Sequence, residues 1–258
     1  MPDGPPASTA GSAMPATPPK PQGPTVVIGP IRITGWRAQL VQVVIFGALG
    51  AWVGLRFSHS AHTAGGWSNY IAPRWPILVS LALWVAFSVY WGVAAKSAST
   101  VRSAESPGSR AFHMLLINGS MLLIFVPLPG LTGRFVPDTT IVHIIGVIIQ
   151  TAFLAFAVWA RRTLGRNWSG NVTVKVDHEL VRTGPYRRIR HPIYTAMFGM
   201  YAGAAITVGQ VHSIVALGIL MLAYARKMRQ EELVMRGEFG AAYDDYRRHS
   251  WAVIPPVW

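Results

Sequence analysis

An all-α integral membrane bundle of five to six transmembrane segments, closed by a C-terminal helical hairpin, is the fold that three observations predict. The 258-residue chain is 51% hydrophobic, with a mean hydropathy of +0.34. Only 13% of its residues are charged, against about 25% in a soluble domain. Its Lys and Arg collect between apolar runs rather than within them.

Taken in order, residues 1–30 hold nine of the nineteen prolines among Gly, Ala, Ser and Thr, with almost no charge. Such a segment buries too little apolar surface to offset the entropy of ordering, which predicts a disordered Pro-rich tail. It has no basic start followed by an apolar core and a cleavage site, so it does not read as an ordinary signal peptide. Residues 31–160 then carry four apolar runs, at about 38–56, 76–95, 111–128 and 141–160. Each is close to the roughly 20 residues that cross a hydrocarbon core about 30 Å thick. A fifth run, 192–225, is interrupted near Val208-Gly209-Gln210 and reads as a hairpin of two helices. Gly199 and Gly203 form a small-xxx-small pattern, predicted to let the helices of this hairpin approach closely. No internal repeat or inverted pair of broken helices points to a transporter.

Charge sets the orientation. With the N-terminus inside, 20 of the 23 Lys and Arg fall on one side, and only Arg56, Arg74 and Arg134 lie opposite. The positive-inside rule then places both termini, and both polar regions of the C-terminal half, in the cytoplasm. A net charge of +13 concentrated at span ends fits anionic headgroups, so membrane lipids rather than nucleic acid are the predicted partner. The absence of Cys excludes disulfides, thiolate metal sites and a Cys nucleophile. Within the spans, His113, Asn118, His143 and Gln150 read singly as interhelical hydrogen bonds or together as the lining of a substrate path.

The chemistry concentrates in residues 161–258. Between Asn171 and Tyr194 the chain turns polar and basic, with Lys175, Arg182, Arg187, Arg188 and Arg190 around two His, two Tyr and the Gly184-Pro185 turn. Pro192 suits the first position of a helix, placing His191 at its N-cap and Tyr194 three residues on, near the same face. Such a helix start can hold an anionic group; the alternative is a charged loop between spans with His191 as a cap. Further on, Lys227 and Glu231 share a helix face four residues apart, which alone reads as a solvated helix with an internal ion pair.

Taken together, His178-Glu-Leu-Val181, Thr183-Gly-Pro-Tyr186, Arg190-His-Pro-Ile-Tyr194, Glu231-Glu-Leu233, Phe239-Gly240 with Tyr243 and Tyr246, and Ile254-Pro255 resemble the isoprenylcysteine carboxyl methyltransferase family and its phospholipid methyltransferase relatives. The resemblance covers about residues 160–256. It implies a membrane enzyme with a cytoplasmic pocket for S-adenosyl-L-methionine and a lipophilic methyl acceptor drawn from the bilayer, most simply a prenylcysteine-like carboxylate. Carried over by position, the cofactor contacts are Asn171, His178, Glu179, Leu180, Val181, Tyr186, His191, Pro192, Ile193, Tyr194 and Glu231. The family's Arg that is tied to the substrate carboxylate corresponds to Lys227, which keeps the charge but not the planar fork.

No metal ligand set is predicted. No Gly-x-Gly-x-Gly turn follows a strand-like run, so a soluble dinucleotide-binding domain is not expected and the cofactor site must be built from spans and loops. Three alternatives stand beside carboxyl methylation: a phospholipid amine N-methyltransferase, an NADPH-dependent sterol-type reductase sharing Arg190-His191-Pro192-x-Tyr194, and a non-enzymatic membrane protein that retains the fold. The acidic Glu231-Glu232 pair disfavours the reductase, since a 2′-phosphate calls for Arg there.

Overall fold

The computed structural model of the chain describes residues 25–28, 31–34, 44, 48, 74–94, 101–104, 107–168, 173–175 and 179–256. The first apolar run, 38–56, lies outside these apart from Val44 and Ala48, as does the predicted tail over residues 1–24. The end of that tail is not irregular: β1 (Thr25–Ile28) pairs antiparallel with β2 (Ile31–Thr34).

Six helices follow among the described residues: α1 (Arg74–Ala94), α2 (Pro107–Phe125), α3 (Thr140–Leu164), α4 (Pro192–Val208), α5 (Val211–Phe239) and α6 (Ala241–Arg248). By length and composition α1, α3 and α5 can cross a membrane, and the apolar stretches Ala111–Phe125 and Pro192–Val208 are shorter. The predicted all-α bundle is therefore borne out, with two small two-stranded ladders besides. The second ladder joins β3 (Val101–Ala104) to β4 (Thr173–Lys175), gathering the α1–α2 and α3–α4 connections at one end of the bundle.

The opposite end is closed by the α4–α5 turn. Gly209 ends α4 with φ +73°, a conformation that favours glycine, and a Cβ there would meet Arg134 Nη2 at 2.5 Å. The turn is stitched to the α2–α3 connection by Phe135 N–H to Gly209 O at 3.0 Å and Val211 N–H to Gly133 O at 2.9 Å. The break read at Val208-Gly209-Gln210 is thus a tight helical turn.

Two expectations are corrected. Gly199 and Gly203 do bring helices together, but the partner is α3 rather than the hairpin's second arm. A Cβ on Gly203 would lie 2.6 Å from Gln150 N and Gly146 O, and one on Gly199 2.1 Å from the Phe153 ring. Lipid offers no hydrophobic drive between spans, so backbone contact through small residues supplies the packing. The hairpin's second arm also fails to stop at residue 225. With no Gly or Pro from Ile219 to Arg236, the apolar helix and the charged helix after it form one rod, α5, to Phe239.

The core packs Trp84 and Phe87 of α1 against Tyr201 of α4, with Ile124, Met200 and Leu220 fully buried. Polar residues tie the same helices together. His143 Nδ1 meets Thr207 O at 2.9 Å and its Nε2 meets Asp138 Oδ1 at 2.8 Å. Gln150 donates to Ser80 O at 3.0 Å and accepts from Ser80 Oγ at 2.7 Å.

Candidate functional site

At the Arg-rich end of the bundle the start of α4 meets the middle of α5. Thr183 leads into a single 3-10 turn, Gly184–Arg187, with Pro185 and Tyr186 buried. Beyond Arg188 the chain forms a parallel bridge, Ile189 to Trp251, with the C-terminal segment. Arg190 N–H donates to Trp251 O at 2.8 Å, His191 N–H to Ala252 O at 3.0 Å, and Trp251 N–H returns to Arg188 O at 2.8 Å. Tyr246 of α6 donates its hydroxyl to Tyr186 O at 2.5 Å, and Thr195 Oγ1 donates to Val253 O at 2.8 Å. This clamp fixes the direction in which α4 starts. Pro192, buried at its first position, leaves no orphan N–H.

His191 is the N-cap of α4, but its ring does not cap the helix. It turns toward α5, where Nδ1 lies 3.5 Å from Glu231 Oε2 and Nε2 3.5 Å from Glu232 Oε1. Tyr194 stacks on the His191 ring at 5.4 Å and donates its hydroxyl to Glu231 Oε1 at 2.5 Å. Tyr224 lies 4.5 Å from Tyr194, centroid to centroid, and Lys227 places Nζ 5.8 Å from the centre of the Tyr194 ring. Lys227 is buried and within electrostatic reach of Glu231, so this face of α5 is not the solvated surface that the residue types alone imply.

Outside the spans the charges follow this geometry. Burial alone would depress the His191 ring, but hydrogen bonding and charge from Glu231 and Glu232 outweigh it and hold its pKa above the ordinary value. Burial, with Tyr246 and Glu231 nearby, pushes the Tyr186 phenol well up. Glu232 is anchored separately: Arg190 Nε reaches its Oε1 at 2.8 Å and Arg247 Nε its Oε2 at 3.4 Å. Arg190 also donates to Ser250 O at 2.5 Å, so one guanidinium joins α5 to the C-terminal segment.

Of the residues predicted to form the site, His191, Tyr194, Glu231 and Lys227 converge, Pro192 and Tyr186 are buried beside them, and Ile193 is half-buried in the first turn of α4. Asn171 and His178 lie outside the described residues. Glu179 is exposed and its N–H is given to Asn167 Oδ1 at 3.5 Å; Leu180 and Val181 are half-buried. Among the described residues no hydrogen bond or ion pair joins these three to the His191–Glu231 cluster. Tyr224 joins this cluster without a motif to mark it. Its signal was the spacing of Tyr224, Lys227 and Glu231 at three and four residues, one stripe of a helix.

The donor set suits a ligand that carries a cation, an aromatic ring and hydrogen-bonding groups. Glu231 supplies a half-buried carboxylate, Tyr194 and Tyr224 supply ring faces, and His191 Nε2 is buried without a full hydrogen bond.

Comparison with known proteins bears on this region. The model of the isoprenylcysteine carboxyl methyltransferase family matches residues 143–236, from the start of α3 to near the end of α5. The chain is 35% identical over 99 residues to the nickel-cobalt-cadmium resistance protein NccN of Alcaligenes xylosoxydans xylosoxydans, 36% of this chain and 44% of that protein. It is 29% identical over 82 residues to the protein-S-isoprenylcysteine O-methyltransferase of Dictyostelium discoideum, 31% of this chain and 35% of that one. Each match thus spans less than half of the relative. Among solved structures, the eukaryotic intramembrane Ras methyltransferase ICMT superposes with a TM-score of 0.36 at 17% identity, over 85% of this chain and 98% of that one. That score is too low to carry an argument. The family resemblance seen in the motifs is borne out over residues 143–236.

Proposed function

From the family match over residues 143–236, we propose that this protein is a membrane methyltransferase that uses S-adenosyl-L-methionine and acts on a lipophilic carboxylate acceptor from the bilayer. The observation that carries the reading is the convergence of His191, Tyr194, Lys227 and Glu231 where α4 and α5 meet, inside the matched window. When bound, S-adenosyl-L-methionine supplies an electrophilic methyl carbon, to which a carboxylate oxygen bonds as the carbon–sulfur bond breaks and its electron pair stays on sulfur. A carboxylate is already ionised at neutral pH, so the chain needs no general base and its residues act by positioning.

Glu231 holds the cationic part of the cofactor, and the ring faces of Tyr194 and Tyr224 add cation–π attraction. His191 orients Glu231 rather than holding an anion, because two carboxylates already face its ring. Lys227 attracts the acceptor carboxylate as a point charge on a flexible stem, a looser hold than an Arg fork. The Arg-rich end, carrying this site, faces the cytoplasm. Tyr186 and the clamp through Trp251–Val253 keep the loop in place.

The test is S-adenosyl-L-methionine binding to purified protein in nanodiscs, followed by transfer of a deuterated methyl group into lipid and protein extracts. Saturable binding and a base-labile methyl ester are expected. A base-stable methylamine product would favour the amine reading, NADPH binding would favour a reductase, and no binding in nanodiscs or detergent would overturn the proposal. In Lys227→Ala, KM for a carboxylate acceptor should rise with cofactor affinity unchanged.

A further inference from the structure

The polar residues within the spans fall into two kinds. His143 and Gln150 are bonded between helices, whereas His113 of α2 is 6% exposed and, among the described residues, neither ring nitrogen has a hydrogen-bond partner. The Ala223 carbonyl is nearby without completing a bond of good geometry. Buried polar groups nearly always find a partner, and one that does not lowers stability. A buried histidine with two orphan nitrogens is therefore not explained by packing.

Its surroundings are those of a binding site. The His113 ring stands edge-on to Tyr224 at 5.4 Å, and Tyr224 in turn faces Tyr194. On the same α2–α5 seam Arg226 donates to Ser109 Oγ at 2.5 Å, and Gln230 Nε2 to the same oxygen at 3.5 Å, leaving Gln230 Oε1 buried with no partner among the described residues. Lys227, Glu231 and Arg226 all lie within electrostatic reach of His113. The one carboxylate of the group, Glu231, is already engaged by Tyr194 and His191. An orphan imidazole, an orphan amide oxygen and two cations thus meet on one short length of the seam, beside the aromatic rings of the proposed cofactor site.

We infer that His113, with Gln230, is a specificity-determining part of the acceptor site: it binds the ionised head of a lipophilic acid at the α2–α5 seam next to Lys227, and the local positive charge rejects a cationic amine head. This rests on the methyltransferase reading. An oxyanion there accepts the hydrogen bond that His113 cannot give elsewhere, and an amide N–H on the acceptor answers Gln230 Oε1. Charge discriminates because burying an unpaired ammonium beside Arg226 and Lys227 is costly.

The experiment uses the full chain in nanodiscs as wild type, His113→Leu, His113→Gln and Gln230→Leu. The probes are S-farnesyl-N-acetylcysteine as the acid and dioleoylphosphatidylethanolamine as the amine. Because His113→Leu removes an unsatisfied buried polar group, its melting temperature without ligand should rise by about 2–4 °C. Its affinity for S-adenosyl-L-methionine should be unchanged, its KM for the acid should rise by roughly tenfold or more, and its preference for acid over amine should shrink. His113→Gln, which keeps a donor, should recover part of the KM. A fall in melting temperature would make His113 an ordinary structural residue, and a loss of cofactor affinity in step with KM would make it a cofactor contact; either overturns the inference. If wild type binds no S-adenosyl-L-methionine, the methyltransferase reading fails. Thermal shift by the acid alone, present in wild type and absent in His113→Leu, would still support the seam as a lipid-acid site, and equal shifts would overturn it.

Discussion

Gly203→Ala adds one methyl group where α3 and α4 are closest. The new Cβ would sit 2.6 Å from Gln150 N and Gly146 O, both backbone atoms of α3 that no rotamer change can move. Reaching an ordinary contact of 3.4 Å requires the helices to part by about 0.8 Å, and a gap of that size forfeits a quarter to a half of each dispersion contact along the seam. Overpacking of this kind costs about 1–3 kcal/mol, or about 4–8 °C in melting temperature for 2 kcal/mol in a domain of this size. The same parting strains His143 Nδ1 to Thr207 O, the bond that crosses the seam one turn away. The control is Gly218→Ala on α5, exposed with nothing within 4 Å of the added carbon and therefore expected to lose nothing. Thermal unfolding in detergent, followed by tryptophan fluorescence, measures both. Equal melting temperatures for the two variants would refute backbone-to-backbone packing of α3 on α4.

Three further outcomes follow from the site. Glu231→Gln keeps the shape but removes the charge that Tyr194 and His191 engage, and should weaken S-adenosyl-L-methionine binding about 10–100-fold by calorimetry, the range of a lost charged hydrogen bond of about 1.5–3 kcal/mol. Because the folded-state pKa of His191 is raised, its stabilising charge is fully present below about pH 6.5 and is lost as pH rises through the higher folded value. Melting temperature should therefore fall on the alkaline side in wild type, with a flatter profile in His191→Gln; parallel profiles would count against the pairing. Tyr246→Phe removes a buried hydroxyl from Tyr186 O and should destabilise the clamp by about 1–2 kcal/mol, read as faster proteolysis of the segment after Arg248.

Much of this architecture was legible from residue types, and the rest depended on contacts between distant parts of the chain. Gly209-Gln210 announced the α4–α5 turn because only glycine takes its backbone angle easily. Gly199 and Gly203 announced a close approach, but a small-residue motif does not say which helix will fill it, and α3 presents its own glycine, Gly146, to the same seam. His191, Tyr194 and Glu231 were named from the order of the motifs, and the structure brings them together. The burial of Lys227 was hidden by its charged neighbours, which looked like a solvated face. Nothing local in Trp251–Val253 foretells pairing with Arg188–His191, some sixty residues earlier. His113 looked like its fellow polar residues until the partners of His143 and Gln150 were found and its own were not.

The shortness of α4 has a consequence of its own. At 1.5 Å per residue, the 17 residues of α4 reach about 26 Å, less than a hydrocarbon layer of about 30 Å, whereas the 29 residues of α5 reach about 44 Å. A bilayer that thins to match α4 would leave the His191–Glu231 cluster, at the start of that helix, below the level of the surrounding headgroups. A long-tailed molecule can then present its polar end there without leaving the lipid, and thick, sterol-stiffened membranes, which resist thinning, should slow the protein while thin ones favour it.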